Sequence, residues 1–403
     1  MSTNETPTFA ELAAKYRPVF SRIAEDSLQR ELDRTLPTEQ IQWLKEAGFT
    51  GVRVPKEYGG DGASLPQLFK LLVELASADP HVPQAFRGHI AFVEDRLQAA
   101  PSEDRDEWLT RFAQGELVGN AVTEIGTVAL GDVRTKLTEN GDDFTITGSK
   151  YYTTGSIFAE WIDTNALRPD GVEVAAIVST DTELIQISDD WTGFGQKLTG
   201  SGTAVFTQAP VQGKHVYVFS DRFSYQTSLY QLILVAVTAG ITRAAAQDAA
   251  SQVANRSRTF SHGNHDETRH DPQVLEVVGR IAAQASAAEA IVVAAAESLQ
   301  EAADAHGTES EADAKREAEL KSAEAQIVVT KLALEASTNL FDGLGASAVS
   351  TSQALDRHWR NARTVTSHNP VAFKARIVGD WLVNQAEPPY EWYIGVGRPQ
   401  KDK

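Results

Sequence analysis

Cysteine is absent from all 403 residues, and methionine occurs once. Disulfides, thiolate nucleophiles and cysteine-ligated metals are therefore excluded, and a chain without thiols fits a reducing cytoplasm. Positive charge is scarce as well: 37 Lys and Arg stand against 55 Asp and Glu, a net charge of −18. Such a surface repels nucleic acid and anionic membranes, so neither is expected as a partner. The charge keeps a large particle soluble, and a salty habitat also fits it. No apolar run approaches the ~20 residues of a membrane span. Residues 1–7 lack the basic and then apolar order of a secretory signal. No internal repeat is visible. What is present is a hydrophobic fraction of 42%, enough for a sizeable core, in a chain long enough for two or three packed units.

The pattern changes twice along the chain. From residue 9 to about residue 100 the apolar residues recur at helical spacing. A helix is expected to begin at Pro37, with the proline in its first turn and Gly48 ending it, and another over residues 65–78. From residue 120 the period becomes that of strands. Residues 173–178, 184–187 and 203–206 have the length and β-branched content of sheet. From about residue 223 helix returns, alanine-rich and long, over 231–253, 274–303 and 311–343. The charged run 302–319 reads as helix or loop rather than a linker. The expected class is α+β, with an N-terminal helical domain (1–119), a central β-domain (120–218) and a C-terminal four-helix bundle (219–403).

Residues 120–156 hold the centre of interest. Asn120, Ala121, Val122 and Thr123 open it, and Tyr151-Tyr152-Thr153-Thr154-Gly155 close it. Residues 136–148 between them read as two strands about a polar turn. Two hydroxyl-rich, glycine-flanked segments held side by side can hydrogen-bond a planar ring rich in carbonyls and nitrogens, such as a flavin. An ordinary Thr-rich hairpin is the other reading.

These segments resemble the two flavin-contacting signatures of the acyl-CoA dehydrogenase superfamily, roughly T-E-P-G (Thr123-Glu124-Ile125-Gly126 here) and K-x-W-I-T-N-G (residues 150–155). Their wording is closer to the monooxygenase branch that includes dibenzothiophene monooxygenases. Val54-Pro55-Lys56-Glu57-Tyr58-Gly59-Gly60 resembles the superfamily's V-P-x-x-Y-G-G loop, an independent match. Trp191 with residues 192–203 resembles W-x-x-G-x-R-x-T-x-S, whose first position sits near the flavin; a sheet-packing indole is the alternative. Residues 255–260 resemble R-x-x-F, in which an arginine reaches a flavin phosphate. Arg258 is the choice for it and Arg256 the alternative. Residues 340–347 resemble a G-G-x-G turn that contacts flavin across a subunit interface, which brings in Ala346 and Ser347.

The discriminating stretch follows. After the place of the superfamily's R-D-A-R, a glutamate in Y-E-G-T removes the substrate α-proton in acyl-CoA dehydrogenases. Here that place reads Ser367-His368-Asn369-Pro370, with no carboxylate. The resemblance therefore implies a monooxygenase. His368 would stand at the flavin's reactive edge, with Thr154 beside flavin N5 and Asn120 holding oxygen or substrate. His89 reads either as a core histidine or as part of a cavity wall with Arg87 and Gln84. The histidines at 262, 265 and 270 lie in a polar run without helical metal-site spacing, so no metal is expected.

The implied activity is that of the oxygenase component of a two-component flavin monooxygenase. It uses reduced FMN (FAD is possible) and O2, through a C4a-hydroperoxide, on a small organosulfur substrate. A separate NAD(P)H:flavin reductase is the implied partner, in keeping with the absence of a G-x-G-x-x-G fingerprint. The superfamily implies a homotetramer. The flavin contacts expected are Asn120, Ala121, Thr123, Tyr152, Thr153, Thr154, Trp191, Arg258, Ala346, Ser347 and His368. Oxygenation at nitrogen or carbon, acyl-CoA dehydrogenation and a flavin-free scaffold remain the competing readings.

Overall fold

A computed structural model describes residues 6–124 and 132–391. Helices come first and last, with a sheet between them. The N-terminal helices are α1 (Phe9–Glu25), α2 (Ser27–Asp33), α3 (Thr38–Glu46), α4 (Leu65–Ala78), α5 (His81–Ala85), α6 (Arg87–Gln98) and α7 (Glu103–Ala113). Pro37 precedes α3 instead of lying in its first turn, and Gly48 follows it at φ +81°. The α4 helix starts where Ser64 and Gln67 cap each other reciprocally. It buries eight of its residues, from Leu65 to Ala76, so it is a core helix from end to end.

Eight strands form one sheet: β1 (Val118–Ala121), β2 (Lys136–Asn140), β3 (Asp143–Tyr151), β4 (Trp161–Leu167), β5 (Glu173–Ser179), β6 (Ile185–Ser188), β7 (Thr203–Val211) and β8 (Val216–Val218). Their order is β6-β7-β3-β2-β4-β5-β8, with β1 added in parallel alongside β4. The β2–β3 hairpin has the expected turn, with Gly141 at positive φ, and it pairs Leu137 with Ile146 on the buried face. Strands β4 and β8 carry no clean two-residue alternation. β4 is covered on both faces, so its burial runs unbroken from Trp161 to Ala166.

The C-terminal helices are α8 (Gln226–Ala254), α9 (Pro272–Asp304), α10 (Glu311–Leu344), α11 (Arg357–Thr366) and α12 (Val371–Asn384). The three long ones pack on one another, and α4 from the N-terminal region packs on α8 and α9. One apolar core therefore spans both helical regions, joining Leu68 and Leu72 to Leu232, Ile233 and Val292. By length and mean hydropathy α8 and α9 are each able to cross a membrane. Scattered Ala, Ser, Thr and Gln raise no alarm in a run count, yet the average stays apolar. Most of the α8 window is inside the protein, whereas only 22% of the α9 window is.

Candidate active site

The two hydroxyl-rich segments meet as the sequence suggested. The Tyr151 amide donates to the Thr123 carbonyl at 2.8 Å. Behind them the buried Lys150 ammonium donates to Glu124 Oε1 and Asn165 Oδ1, both at 2.7 Å, and to the Val122 carbonyl at 3.3 Å. Glu124 in turn accepts from the Thr135 amide and hydroxyl. Removing either partner would strand a buried charge, so this pair fixes the spacing of the segments. Sequence reasoning quoted both residues without giving them this positioning role. Ile125 and Gly126 of the first signature lie outside the described residues.

Thr154 is buried, and its hydroxyl starts a chain: Ser201 Oγ at 2.5 Å, Thr199 Oγ1 a further 2.8 Å on, then the Gln196 carbonyl at 3.0 Å. Thr153 is fully buried, with amide and hydroxyl both donating to the Gly202 carbonyl, so it anchors the loop. Tyr152 is turned outward at φ +59° and meets the Trp191 ring edge-on at 5.8 Å. The Trp191 indole N–H is held by the Gly195 carbonyl at 3.0 Å.

Gly155 places this loop against α5. Its φ is +81°, and a Cβ there would lie 2.1 Å from the Ala85 carbonyl oxygen. Gly155→Ala is expected to destabilise the protein by about 2–4 kcal/mol, combining left-handed strain with a backbone clash. A urea titration beside wild type measures this. A loss below about 0.5 kcal/mol would show that the α5 contact yields easily.

Asn120, next to the end of β1, has its side-chain Oδ1 buried and unpartnered, and its carbonyl accepts from the Ser156 hydroxyl at 3.2 Å, two residues beyond Thr154. The start of α6 lies over it: a Cβ on Gly88 would come within 2.8 Å of the Asn120 Cβ. On the same short segment, Gln84 Oε1 and Arg87 Nε are buried without partners. The Arg87 guanidinium lies 4.9 Å from the centre of the Tyr230 ring on α8.

His368 sits in the turn between α11 and α12 and keeps an exposed face. The Asn369 amide holds the turn to Gln231 on α8 at 2.6 Å, and Gln326 on α10 donates to the Asn369 carbonyl at 2.7 Å. Desolvation by the surrounding protein, and then the Arg87 charge, bring the imidazole down to about 3. The neutral ring is therefore the favoured form at neutral pH.

His89 has a different place. Its Nε2 faces the Thr50 carbonyl at 2.9 Å and its Nδ1 accepts from the Val118 amide at 3.3 Å. Both nitrogens are engaged with backbone, so the ring braces β1 against the 3-10 turn at Phe49–Gly51. Of the two readings of this residue, the core histidine matches the geometry. Burial lowers it to about 4.

Arg256, Arg258, Ala346 and Ser347 lie elsewhere. Arg256, Arg258 and Ser347 line a separate recess of 210 Å³ with Gln252, Leu344 and Gln353, and Ala346 precedes Ser347 in the same turn. Arg256 donates to the Leu344 and Arg258 carbonyls and lies over the Phe260 ring. Arg258 is exposed and has no side-chain partner among the described residues, which leaves it the free cation of the two. His265 and His270 meet edge-to-face at 5.0 Å on the exposed loop, and no metal-holding group of acidic and imidazole side chains occurs among the described residues. A larger cavity, 350 Å³, lies between α2, α4, α8 and α11. Its charges are paired within its own walls, Glu31 to His81 and Asp248 to Arg357 and His358, so it is not where we place the chemistry.

Comparison with known proteins agrees with the motifs. Residues 10–116 match the acyl-CoA dehydrogenase N-terminal domain, and residues 232–373 match the acyl-CoA dehydrogenase C-terminal domain. A dibenzothiophene monooxygenase of Mycolicibacterium goodii is 28% identical over 369 residues, covering 87% of this chain and 88% of its own. The FMN-bound crystal structure of TdsC from Paenibacillus sp. A11-2 superposes with a TM-score of 0.86 at 29% identity, covering 94% of this chain and 98% of TdsC. The chain belongs to the acyl-CoA-dehydrogenase-like family, in its flavin monooxygenase branch. A probable FMNH2-dependent monooxygenase, SfnC of Pseudomonas putida, is 25% identical over 94% of this family member and 96% of its own length. No carboxylate stands in Ser367-His368-Asn369-Pro370, the stretch that the motif resemblance sets against the dehydrogenase glutamate. Glu319, buried on α10, does not replace it, because it is held by Lys374 at 3.3 Å and by the Ser228 hydroxyl at 2.7 Å.

Proposed function

We propose that this family member is the oxygenase component of a two-component system. It takes FMNH2 from a separate NAD(P)H:FMN reductase and oxygenates a small organosulfur compound in the cytoplasm. One observation supports the reading most: His368 stands where the motif resemblance puts the dehydrogenase glutamate, while Asn120 offers an unpartnered buried amide oxygen and Thr154 a buried hydroxyl. The donor set fits a flavin ring edge, whose carbonyls and N–H take such hydroxyl and amide partners. FMN when bound supplies the two electrons and the activation of O2. This chain's residues do the rest. Asn120 and Thr154 orient the ring, Thr153 and Lys150 hold the loop that carries them, and His368 holds a proton at the edge where oxygen is transferred. FMN is preferred to FAD by the FMN-containing relatives.

Within the proposed units 1–119, 120–218 and 219–403, the Arg258–Ser347 recess shares no lining residue with this site. A homotetramer in which Arg258 meets the phosphate end of a neighbour's FMN accounts for that separation. The exposed apolar length of α9 supports such an assembly.

The test is reconstitution with a flavin reductase, FMN, NADH and ¹⁸O2 against a panel of organosulfur compounds including dibenzothiophene. One labelled oxygen atom should enter the product, the other leaving as water as FMNH2 becomes FMN. Bleaching of bound oxidised flavin by an acyl-CoA, with no oxygen consumed, would reverse the assignment to dehydrogenase.

A further inference from the structure

Arg87 is a buried cation with nothing to neutralise it. The residue is 8% exposed, its Nε is occluded, and it has no hydrogen-bond or ion-pair partner among the described residues. Charged side chains are almost never buried unless paired, because desolvation costs more than an isolated charge recovers. The nearby carboxylates do not serve it. Asp163 accepts from Arg222 at 2.7 Å, and Asp95 from Arg96 at 2.6 Å with Arg222 at 3.5 Å, so two carboxylates already face two guanidinium groups. Tyr230, between these groups and Arg87, is pushed up to about 12 by burial and stays a neutral phenol. His368 adds no negative charge either.

The guanidinium also belongs to the site. It is one residue from Gly88, which touches Asn120, and its field reaches His368. We propose that Arg87 is a specificity residue that receives the anionic group of the substrate, so that the compound oxygenated is a small oxyanion of the sulfinate or sulfonate type and not a neutral thiophene. This rests on the oxygenase reading above and narrows its substrate class. A planar fork of N–H donors matches two oxygens of such a group, and water exclusion makes the match strong. With Arg87 uncompensated among the described residues, a neutral substrate would leave it stranded.

The experiment is calorimetric titration of the FMN-loaded protein with methanesulfinate, methanesulfonate, acetate and dimethyl sulfone, a neutral compound of similar size. Wild type should bind a sulfur oxyanion at least tenfold more tightly than the sulfone. Arg87→Met should weaken the oxyanion about 30-fold or more, while leaving the sulfone and the affinity for reduced FMN within threefold. Its thermal midpoint should rise, since an unpaired buried charge is gone; Arg87→Lys should keep part of the oxyanion affinity without the fork. A sulfone bound as tightly as the anions would overturn the proposal, as would a collapse of FMN affinity in Arg87→Met, which assigns the guanidinium to the cofactor. A fall in thermal midpoint would do so too, by exposing a hidden structural partner. Binding of acetate alone would keep the anion subsite and sink the organosulfur reading. Arg87-dependent anion binding with no ¹⁸O transfer to any compound would sink the oxygenase reading alone.

Discussion

Replacing His368 by alanine is expected to lower oxygenation about 10²–10⁴-fold, the usual range for loss of a positioned proton donor, with FMN affinity little changed. The turn that carries it is pinned independently through Asn369 to Gln231 and Gln326, so the backbone should hold its course. Oxygen consumption should persist while product falls, and the difference should appear as hydrogen peroxide, measured by coupled peroxidase. His368→Asn, which keeps a donor without a titrating ring, should retain more product than alanine. The pH profile adds a second check. An imidazole held below its ordinary value should contribute no ionisation limb at or above 6.5. A limb near 6.5 that vanishes in the variant would mean that the ring works as a cation. A variant with unchanged product yield would remove His368 from the chemistry.

The second large effect concerns stability. His89→Ala should destabilise the fold by about 3–5 kcal/mol, because it opens a gap in the core and leaves the Thr50 carbonyl and the Val118 amide without partners. His89→Gln, which carries both a donor and an acceptor, should lose less. The wild-type pH dependence follows from the same ring. Its folded value near 4 lies below the ordinary 6.5, so the neutral form stabilises the native state. That contribution is complete above pH 6.5 and is lost as pH falls through 4, about 3 kcal/mol for a shift of this size. His81 runs the other way. Burial alone would lower it, but Asp79 at 2.8 Å and Glu31 at 3.2 Å carry it up to about 9. Its contribution is complete below 6.5 and fades as pH rises through 9. Urea midpoints of wild type and both variants from pH 4 to 9 test this, and an acid slope unchanged in His89→Gln would contradict it.

Much of the fold and of the Asn120–Thr154 site was legible because it depends on local rules. Helical spacing, the β2–β3 turn and the glycine of the second signature each act within a few residues. The substitution of His368 for glutamate was legible as a gap in a familiar motif. The state of His89 was not, since its partners come from residues 39 positions before and 29 after it. Nor was the isolation of Arg87, which is a fact about every neighbouring carboxylate being engaged elsewhere. The engagement of Arg256 was not legible either, since it donates to the Leu344 carbonyl 88 positions downstream.

The hydroxyl chain behind Thr154 has a direction. It runs through Ser201 and Thr199 and stops at the Gln196 carbonyl, an acceptor with no proton to give, on a buried residue. No member of it titrates, and it runs between buried residues. It is a blind alley for charge: its hydrogens can all rotate in concert, but no net proton can enter or leave by it. Net proton transfer therefore needs a titrating group elsewhere, and His368, with its exposed face, is the one the proposed site offers.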